Sequence, residues 1–391
     1  MNSKMKFVGN WGRLGMKFNI WEDCPKVPIT ELLSFIVDNR GKTVPTANDG
    51  WKLIATNCVT NNTLFPVYEK VRYLTQETYE TWFRAHPMPG DILFVNKGTP
   101  GRVCMVPDPV DFCIAQDMIA LRADDKKIYN KYLFAVLRSR EIQQQIYNTN
   151  VGDVIPHFKK QFMDQLLIPV PDRKIQEKIG NLYYQLSYKV ELNKKINENL
   201  ADQAQAIYQQ FFLIEADPNW PFGHLSDLIN VKYGKDHKKL ADGVYPVYGS
   251  GGIMRYVERP LYEKESVLIP RKGTLNNVMY VNQPFWSVDT MFYTEMKQTN
   301  VAKFVYHFVK SKDLASMNAG SAVPSMTTAI LNALELRIPS AEALLQFENS
   351  VAPMYEMMKK NEDQSRKLTE LRDALLPKLM SGEIDVSDLD L

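Results

Sequence analysis

The sequence has little cysteine and no cysteine spacing that suggests a metal site. Only four cysteines occur in 391 residues, and no two of them form the C-x2-C pair typical of zinc ligands or a redox dithiol. All of them lie in the first half of the chain, at Cys24, Cys58, Cys104 and Cys113. We therefore predict buried free thiols.

The sequence also has little net charge and no long apolar run. Its formal charge is +2, so any nucleic-acid binding has to come from local basic patches. No apolar run reaches transmembrane length, and the start of the chain lacks the pattern of a signal peptide. These absences predict a globular, cytoplasmic protein, and its length suggests two or three domains.

Motifs of common enzymes are missing as well. The sequence has no Asn-Pro-Pro-aromatic loop, no phosphate loop, no Gly-x-Ser-x-Gly elbow and no histidines at metal-binding spacing. One fragment is nuclease-like: Glu295 and Lys297 would share a strand face, with Asp289 upstream. A solvated strand face explains so common a pattern better. We therefore predict a chain without catalytic activity and keep a metal-dependent nuclease as an alternative.

One sequence element is present twice. "DILFVNKGTPGRV" begins at Asp91 and "SVLIPRKGTLNNV" begins at Ser266. The same order of motifs follows each copy: "AQDMIAL" with Asp117 matches "SVDTMFY" with Asp289, and "LLIPVP" matches "LRIPS". Short β-branched runs bounded by Gly, Pro or Asn indicate strands, and helical spacing follows them. The sequence therefore predicts an α+β fold with an internal repeat.

A long amphipathic helix is predicted at the end of each copy. Apolar residues recur at steps of three and four from Arg173 to Phe212 and from Ala341 to Met380. Pro353 lies inside the second segment and predicts a kink or a later helix start. Neither helix can bury its stripe alone, so we expect the two to bury each other, or else each to pack on its own globular part. The predicted stripes contain Ile175, Ile179, Leu182, Leu186, Ile196, Leu200 and Ile207, then Leu344, Phe347, Val351, Met354, Met358, Leu368, Leu371 and Leu375.

The repeated Lys-Gly-Thr segment is interpreted as a DNA-binding turn. Glycine allows close approach of the backbone, lysine is attracted to phosphate, and threonine and backbone N–H groups add donors. In the second copy, arginine and asparagine side chains suited to guanine and adenine flank the turn. A hairpin that merely exposes lysine would explain a single copy. With nearby Gly-rich or basic loops, the predicted DNA-binding residues are Arg40, Lys42, Lys52, Lys97, Gly98, Thr99, Arg102, Lys235, Ser250, Arg271, Lys272, Gly273, Thr274, Asn276, Asn277 and Ser325.

Several motifs resemble the specificity subunit of type I restriction-modification systems. They are "YPVYGSGGIMRYV", "VLIPRKGTLNNVMYV", "PFWSVDTMF", "GSAVPSM" and above all "LRDALLPKLMSGEI". The resemblance implies two target-recognition domains that each read half of a split DNA sequence, joined by two long helices in an antiparallel coiled coil. The implied segments are target-recognition domains 1–168 and 216–338, spacer helices 169–215 and 339–384, and an acidic tail 385–391.

The resemblance also implies partners and cofactors. Double-stranded DNA, two methyltransferase subunits and restriction/translocase subunits are the expected partners. S-adenosylmethionine and ATP/Mg are expected on those subunits, and no cofactor is expected on this chain. A stand-alone sequence-specific DNA-binding regulator remains the other alternative, and it would bind its site tightly by itself.

Two asparagines are predicted to fix the register of the helix pair. Asn193 and Asn361 lie on the apolar stripes, at equivalent positions near the midpoints of the two helices. In an antiparallel pair such residues face each other, so we expect them to hydrogen-bond directly or through water. The alternative is that both point to solvent.

Overall fold

The computed structural model describes residues 18–39, 41, 43–149, 156–317 and 325–385. It divides into two compact units: unit 1 comprises Met1–Lys195 with Asn361–Leu391, and unit 2 comprises Ile196–Lys360. Each unit thus contains one globular part and portions of both long helices. Among the described residues, no helix combines the length and the apolarity needed to cross a bilayer.

The globular part of unit 1 is built from short strands and four helices. The helices are α1 (Ile20–Asp23), α2 (Gln76–Thr81), α3 (Asn130–Leu137) and α4 (Arg140–Asn148). The strands are β1 (Lys26–Pro28), β2 (Leu33–Val37), β3 (Trp51–Ile54), β4 (Arg72–Leu74), β5 (Ile92–Val95), β6 (Val103–Met105), β7 (Phe112–Ile114), β8 (Met118–Ala123) and β9 (Leu167–Pro169). They form sheets of order β1-β9, β2-β8-β5-β6 and β4-β3-β7. The chain then enters the long helix α5 (Arg173–Gln209), which ends in a π-helical turn at Gln210–Ile214.

Unit 2 repeats this arrangement. Its strands are β10 (Phe222–His224), β11 (Ile229–Tyr233), β12 (Asp242–Gly249), β13 (Gly252–Val257), β14 (Ser266–Pro270), β15 (Met279–Val281), β16 (Trp286–Ser287), β17 (Met291–Met296) and β18 (Glu335–Arg337). The helices are α6 (Leu225–Leu228), α7 (Ala302–Lys310), α8 (Thr328–Asn332) and the long α9 (Ala341–Met380). The sheets have the order β10-β18, β11-β17-β14-β15 and β13-β12-β16.

The sheet topology confirms the internal repeat. Each sheet of unit 1 has a counterpart of the same strand order in unit 2. The parallel pair β3–β7 is matched by the parallel pair β12–β16. Lys26 pairs with Pro169 in unit 1, and Phe222 pairs with Arg337 at the corresponding place in unit 2. These registers define which residues of the two copies are equivalent.

A close approach fixes the globular part of unit 1 to its long helix. All residues of α3 from Tyr132 to Leu137 are buried in the core of the unit. A Cβ added to Gly180 of α5 would lie 2.5 Å from the backbone nitrogen of Tyr132, so only glycine lets α3 pack this closely.

The predicted buried free thiols are confirmed: all four cysteines are free and buried. Burial raises the pKa of Cys104 and of Cys113 to about 12.

The long helices run antiparallel in both units. In unit 1, Arg372 of α9 donates to Ser187 of α5, and Asn193 meets Asn361. In unit 2, Asn197 donates to the carbonyl of Met358 at 2.9 Å, and Tyr208 packs edge-on against Phe347. The sequence position therefore rises along one helix as it falls along the other, which confirms the predicted antiparallel pair.

The later helix start suggested by Pro353 is wrong, and so is part of the predicted apolar stripe. Helix α9 begins at Ala341 and passes through Pro353 without a break. Pro353 is exposed, as is Asn349, whose carbonyl loses its intrahelical partner, so water can replace that bond. Ile196 is 43% exposed and Leu371 is 48% exposed, so neither belongs to the buried face. The buried and half-buried positions of the two helices include a series at steps of three and four, namely Ile179, Tyr183, Leu186, Val190, Asn193, Asn197, Leu200, Ala204 and Tyr208 in α5, and Leu344, Phe347, Val351, Met354, Met358, Asn361, Ser365, Leu368, Arg372 and Leu376 in α9.

Asn193 lies in the middle of this buried face. It is 1% exposed and Asn361 is 9% exposed. The side-chain nitrogen Nδ2 of Asn193 donates to the backbone carbonyl of Asn361 (3.3 Å), to Gln364 Oε1 (2.9 Å) and to Ser365 Oγ (3.1 Å). One amide group of Asn193 thus meets three acceptors of the opposite helix, at the place where the pair of asparagines was expected.

Candidate nucleic-acid interface

The Lys-Gly-Thr turn of unit 2 connects β14 to β15. The backbone N–H groups of Arg271 and Lys272 both donate to the carbonyl of Thr290, at 2.9 and 3.2 Å. Lys272 also forms a β-bridge with Ser325, so two separate segments hold the turn. Gly273 has a φ of +86°, which favours glycine over residues with a side chain. Lys272, Gly273 and Thr274 are exposed.

The tip of the β12–β13 hairpin lies against this turn. The side chain of Asn277 donates to the carbonyl of Ser250 at 2.7 Å. A Cβ on Gly273 would come within 2.6 Å of Ser250 Oγ, so the missing side chain makes room for the hairpin. The structure therefore brings together the predicted residues Ser250, Gly273, Asn277 and Ser325.

Two further cationic residues lie at the same sheet edge. Strand β17 pairs antiparallel with both β11 and β14, so the ends of β11 and β14 meet where β17 begins. Arg271 follows β14, and its guanidinium lies 5.5 Å from the ring of Tyr233 at the end of β11. Lys235 is exposed two residues after Tyr233, where its N–H donates to the carbonyl of Ser287. This edge carries the positive charge of Lys235, Arg271 and Lys272.

The turn of unit 1 has the same backbone contacts. The N–H groups of Asn96 and Lys97 both reach the carbonyl of Asp117, Lys97 bridges to His157, and Gly98 has a φ of +84°. Lys97, Gly98 and Arg102 are exposed, and Thr99 is half-buried. By these contacts Asp117 corresponds to Thr290. The match of Asp117 to Asp289 in the sequence repeat was therefore wrong by one residue.

The two turns differ at one position. Where unit 2 has Arg271, unit 1 has Asn96, which is buried and donates to the carbonyl of Phe158 at 3.2 Å. The short amide therefore fastens the turn internally, whereas the long arginine reaches the surface of its sheet edge. This difference removes one surface cation from unit 1.

Other predicted site residues are placed differently. Lys52 forms an ion pair with Asp111 and lies 4.2 Å from the ring of Tyr68. Burial raises the pKa of Asp111, but hydrogen bonds from Lys52 and Tyr68 outweigh this effect, so the pKa of Asp111 is lowered overall.

In unit 2, Asn276 donates to Asp313 and accepts from the N–H of Ala315, both at 3.0 Å. Base contacts by Lys52 or Asn276 stay predictions and would require these bonds to be exchanged. Arg40 and Lys42 lie outside the described residues.

Sequence reasoning overlooked exposed apolar residues beside the unit 2 turn. Near the tip of the hairpin, Met254 is 61% exposed and Ile253 next to it is also exposed, whereas the exposed Val244 lies at the other end of the hairpin. A signal existed in "GSGGIMRYV", because Ile253 and Met254 are consecutive and cannot both be buried on one strand face. Apolar side chains can contact the methyl group of thymine in the major groove.

The nuclease-like residues are engaged in other contacts. Glu295 lies 3.6 Å from the ammonium of Lys232, and Lys297 donates to the carbonyl of Ser226. Within the part of the chain that the structure describes, no group of three or more His, Cys, Asp or Glu residues could hold a metal ion.

Two α+β units, each with a basic turn at the same sheet edge, fit a duplicated DNA-recognition protein. The family described as "Type I restriction modification DNA specificity domain" matches residues 26–202 and 218–349, which together are more than half of the chain. The chain belongs to this family, and its function is DNA specificity in a type I restriction-modification system.

Individual relatives agree with this assignment. The chain is 22% identical over 306 residues to the type I restriction enzyme MjaIX specificity subunit of Methanocaldococcus jannaschii, covering 67% of this chain and 71% of that protein. It is 20% identical over 406 residues to the HindI specificity subunit of Haemophilus influenzae, covering 75% and 86%. The crystal structure of a type I system S subunit from M. genitalium is similar in fold, with a TM-score of 0.60, 19% identity, and coverage of 93% of this chain and 98% of that one.

Proposed function

We propose that each globular part reads one half of a split DNA target and that the helix pair sets the gap between the halves. The observation that carries this proposal is the repeated turn: the same backbone contacts hold Lys97 in unit 1 and Lys272 in unit 2 at exposed positions. An exposed lysine on a tight glycine turn can approach a phosphate, and side chains beside it can reach base edges.

The chain itself has no catalytic role in this proposal. Two adenine methyltransferase subunits, which bring S-adenosylmethionine, and restriction/translocase subunits, which bring ATP and Mg²⁺, would supply the chemistry. Exposed apolar side chains on the long helices support a docking role. Tyr188 and Leu371 are exposed in unit 1, and Leu345 and Met357 are exposed in unit 2. Charged side chains would serve solubility better at these positions, so we infer that subunits cover them.

Methylation mapping tests the proposal. In a host that carries the whole system, we expect adenine methylation at one bipartite sequence with a fixed gap. Met254→Ala should relax the base preference in one half-site and leave the other half-site and the gap unchanged, because Met254 lies beside the turn of unit 2 only. Relaxation of both half-sites would contradict the assignment of one reader to each half.

The alternatives give different results. A stand-alone regulator would bind one site tightly without any methyltransferase, and deleting the chain would leave genomic methylation unchanged. A nuclease would cut duplex DNA when the purified chain receives Mg²⁺, and Glu295→Gln would abolish the cleavage.

A further inference from the structure

An apolar groove lies at the C-terminal end of α5 in unit 2. Its lining includes Tyr208, Phe212, Trp220, Phe304, Phe308 and Leu336. At its lip, Leu213 is 64% exposed, and Ile214 beside it is 73% exposed. Apolar surface of this kind next to a preformed groove is typical of a docking site for another polypeptide.

Unit 1 shows what covers the equivalent place. The strand registers equate Lys26 with Phe222, so Ile20 and Trp21 of α1 correspond to Ala216 and Asp217. The helix starts equate Arg173 with Ala341, so Phe212 corresponds to Met380. In unit 1, Ile20 and Met380 are buried in one core, and Phe18 and Trp21 pack against it. Helix α1 thus covers the end of α9.

Among the described residues of unit 2, no helix stands in the place of α1, and Trp220, whose ring lies 5.9 Å from that of Phe212, covers only part of it. Ala216 stands in the place of Ile20 and lines the groove, but its single methyl group fills much less volume. A polar turn replaces α1: the backbone and side-chain nitrogens of Asn219 both donate to Asp217 Oδ1. The sequence of unit 2 therefore leaves a groove open at the place that α1 fills in unit 1.

Two cationic side chains lie at the rim of the groove, in addition to the exposed Glu215 and Asp217 of its lip. Arg337 lines it, with its guanidinium 4.3 Å from the ring of Phe222, and Lys312 lies 4.6 Å from the ring of Phe308. Arg337 donates to the carbonyls of Pro218 and Trp220, which carry no net charge. Helix α1, which fills the equivalent place in unit 1, carries Glu22 and Asp23 in its single turn. An occupant with acidic residues beside its apolar face would complement this rim.

We propose that the groove receives an acidic amphipathic helix of a partner protein, with aliphatic and aromatic residues on its buried face, as α1 has in unit 1. The proposal rests on the proposed function, in which the partner is a methyltransferase subunit. Helix-in-groove docking of this kind uses a few apolar anchors for affinity and the charged rim for orientation.

Site-directed cross-linking and two groove variants test the proposal. A photoreactive benzoylphenylalanine at Leu213, in the full chain assembled with the methyltransferase subunit, should cross-link to an acidic helical segment of that subunit. The same probe at Val244, which is equally apolar and exposed but lies on the hairpin, should not. Ala216→Trp fills the groove and should weaken the association at least tenfold, whereas Val244→Trp should leave it unchanged.

Lys312→Glu keeps the groove open and cancels the positive charge that Arg337 contributes to its rim. Because Lys312 is a surface residue, this variant decides the question if Ala216→Trp does not fold, and it should also weaken the association. Full association of the Lys312→Glu protein together with no cross-link at Leu213 would overturn the groove assignment while the proposed function stands. Failure of the unaltered chain to associate with the methyltransferase subunit would overturn both.

Discussion

At the scale of single residues, Asn193 is a sensitive position of the helix pair. Its Nδ2 group donates to three oxygens of α9, so a carboxylate there would lose these three bonds and would face the lone pairs of the Asn361 carbonyl. We expect Asn193→Ala to cost ~1–3 kcal/mol of unfolding free energy. Asn193→Asp should cost more, roughly 3–5 kcal/mol, because a buried charge is left without a partner. Urea unfolding measures both.

Asn199→Asp is the matched control for this prediction. Asn199 is exposed on the same helix and its side-chain oxygen accepts from Gln203, a bond that aspartate can keep. The change should stay within about 0.5 kcal/mol. An equal loss at both positions would show that Asn193 does not hold the two helices together.

His307 predicts a pH dependence of stability. Burial, with a smaller contribution from Lys310, lowers its pKa to about 3 from the ordinary 6.5. Its ring nitrogens contact Gln205 and the hydroxyl of Tyr355. The pKa of His307 is lower in the folded state than in the unfolded state. Its contribution to the free energy of unfolding is therefore complete above pH 6.5 and declines as the pH falls toward 3, by up to about 1.4 kcal/mol per pH unit. Unfolding of the wild type and of His307→Gln at pH 7.5 and 5.5 should show a smaller loss in the variant.

The residue scale is also where sequence reasoning failed. A stripe chosen for apolar residues included Ile196 and Leu371, which are exposed, and could not include Ser187 and Arg372, which are buried. Polar residues occupy the middle of the buried face because they hydrogen-bond across the helices, and such partners are far apart in sequence. Likewise, the bonds of Asn276 to Asp313 and Ala315 depend on a tertiary contact that no local pattern reveals.

At the scale of elements, the sequence was a better guide. The repeat, the two long helices and the turn at Gly98 and Gly273 could all be predicted from sequence patterns, whereas the antiparallel arrangement of the helices was implied by the family resemblance. Strand-like runs and glycines at positive φ are properties of neighbouring residues. The ends of α9 could also be predicted, since the helix occupies Ala341–Met380, the segment delimited from the sequence.

The heptad spacing of the buried positions gives a prediction about the spacer. From Leu344 to Arg372 these positions alternate in steps of three and four, so seven added residues keep the same face buried. Inserting seven residues after Asn193 and seven after Asn361 should lengthen the helix pair by ~10 Å, or close to 3 base pairs at ~3.4 Å each. Methylation mapping should then show the same half-sites with a longer gap.

An insertion of four residues at the same two places is the control. Four residues leave the heptad phase, so the face of each helix rotates and the protein should lose stability. If the seven-residue insertion leaves the gap at its original length, the helix pair does not set the spacing between the half-sites. This conclusion would hold whether or not the insertion variant loses stability.

At the scale of the whole molecule, the duplication divides recognition between two separately folded cores. The equivalent sheets have the same order, yet unit 2 carries Arg271 where unit 1 carries the buried Asn96. The same fold therefore presents different side chains at the two equivalent turns. A duplicated chain can keep its scaffold and change one reader, because exposed residues such as Lys97 and Lys272 do not belong to the core of their own unit.

This division makes the effects of the two lysines additive. Lys97 and Lys272 are exposed in different compact units, so their contributions to DNA binding should be independent. Removing one lysine that binds a phosphate should reduce the slope of log K against log salt by roughly 0.9, and removing both should reduce it by roughly 1.8, with the base preference preserved. Binding of the assembled complex to its target between low and moderate salt measures the slopes of Lys97→Ala, Lys272→Ala and the double variant.

Lys52→Ala is the control within the same prediction. Its ammonium is already paired with Asp111 and packed on Tyr68, so a phosphate contact would require this pair to be exchanged, and we expect its removal to leave the slope nearly unchanged. A slope that falls for Lys272→Ala and not for Lys97→Ala would show that the two turns are equivalent in backbone only. If the double variant keeps the wild-type slope, neither lysine binds a phosphate and the repeated turn is not part of the DNA interface. Deleting a cation that binds a phosphate always reduces the release of counterions and therefore the slope.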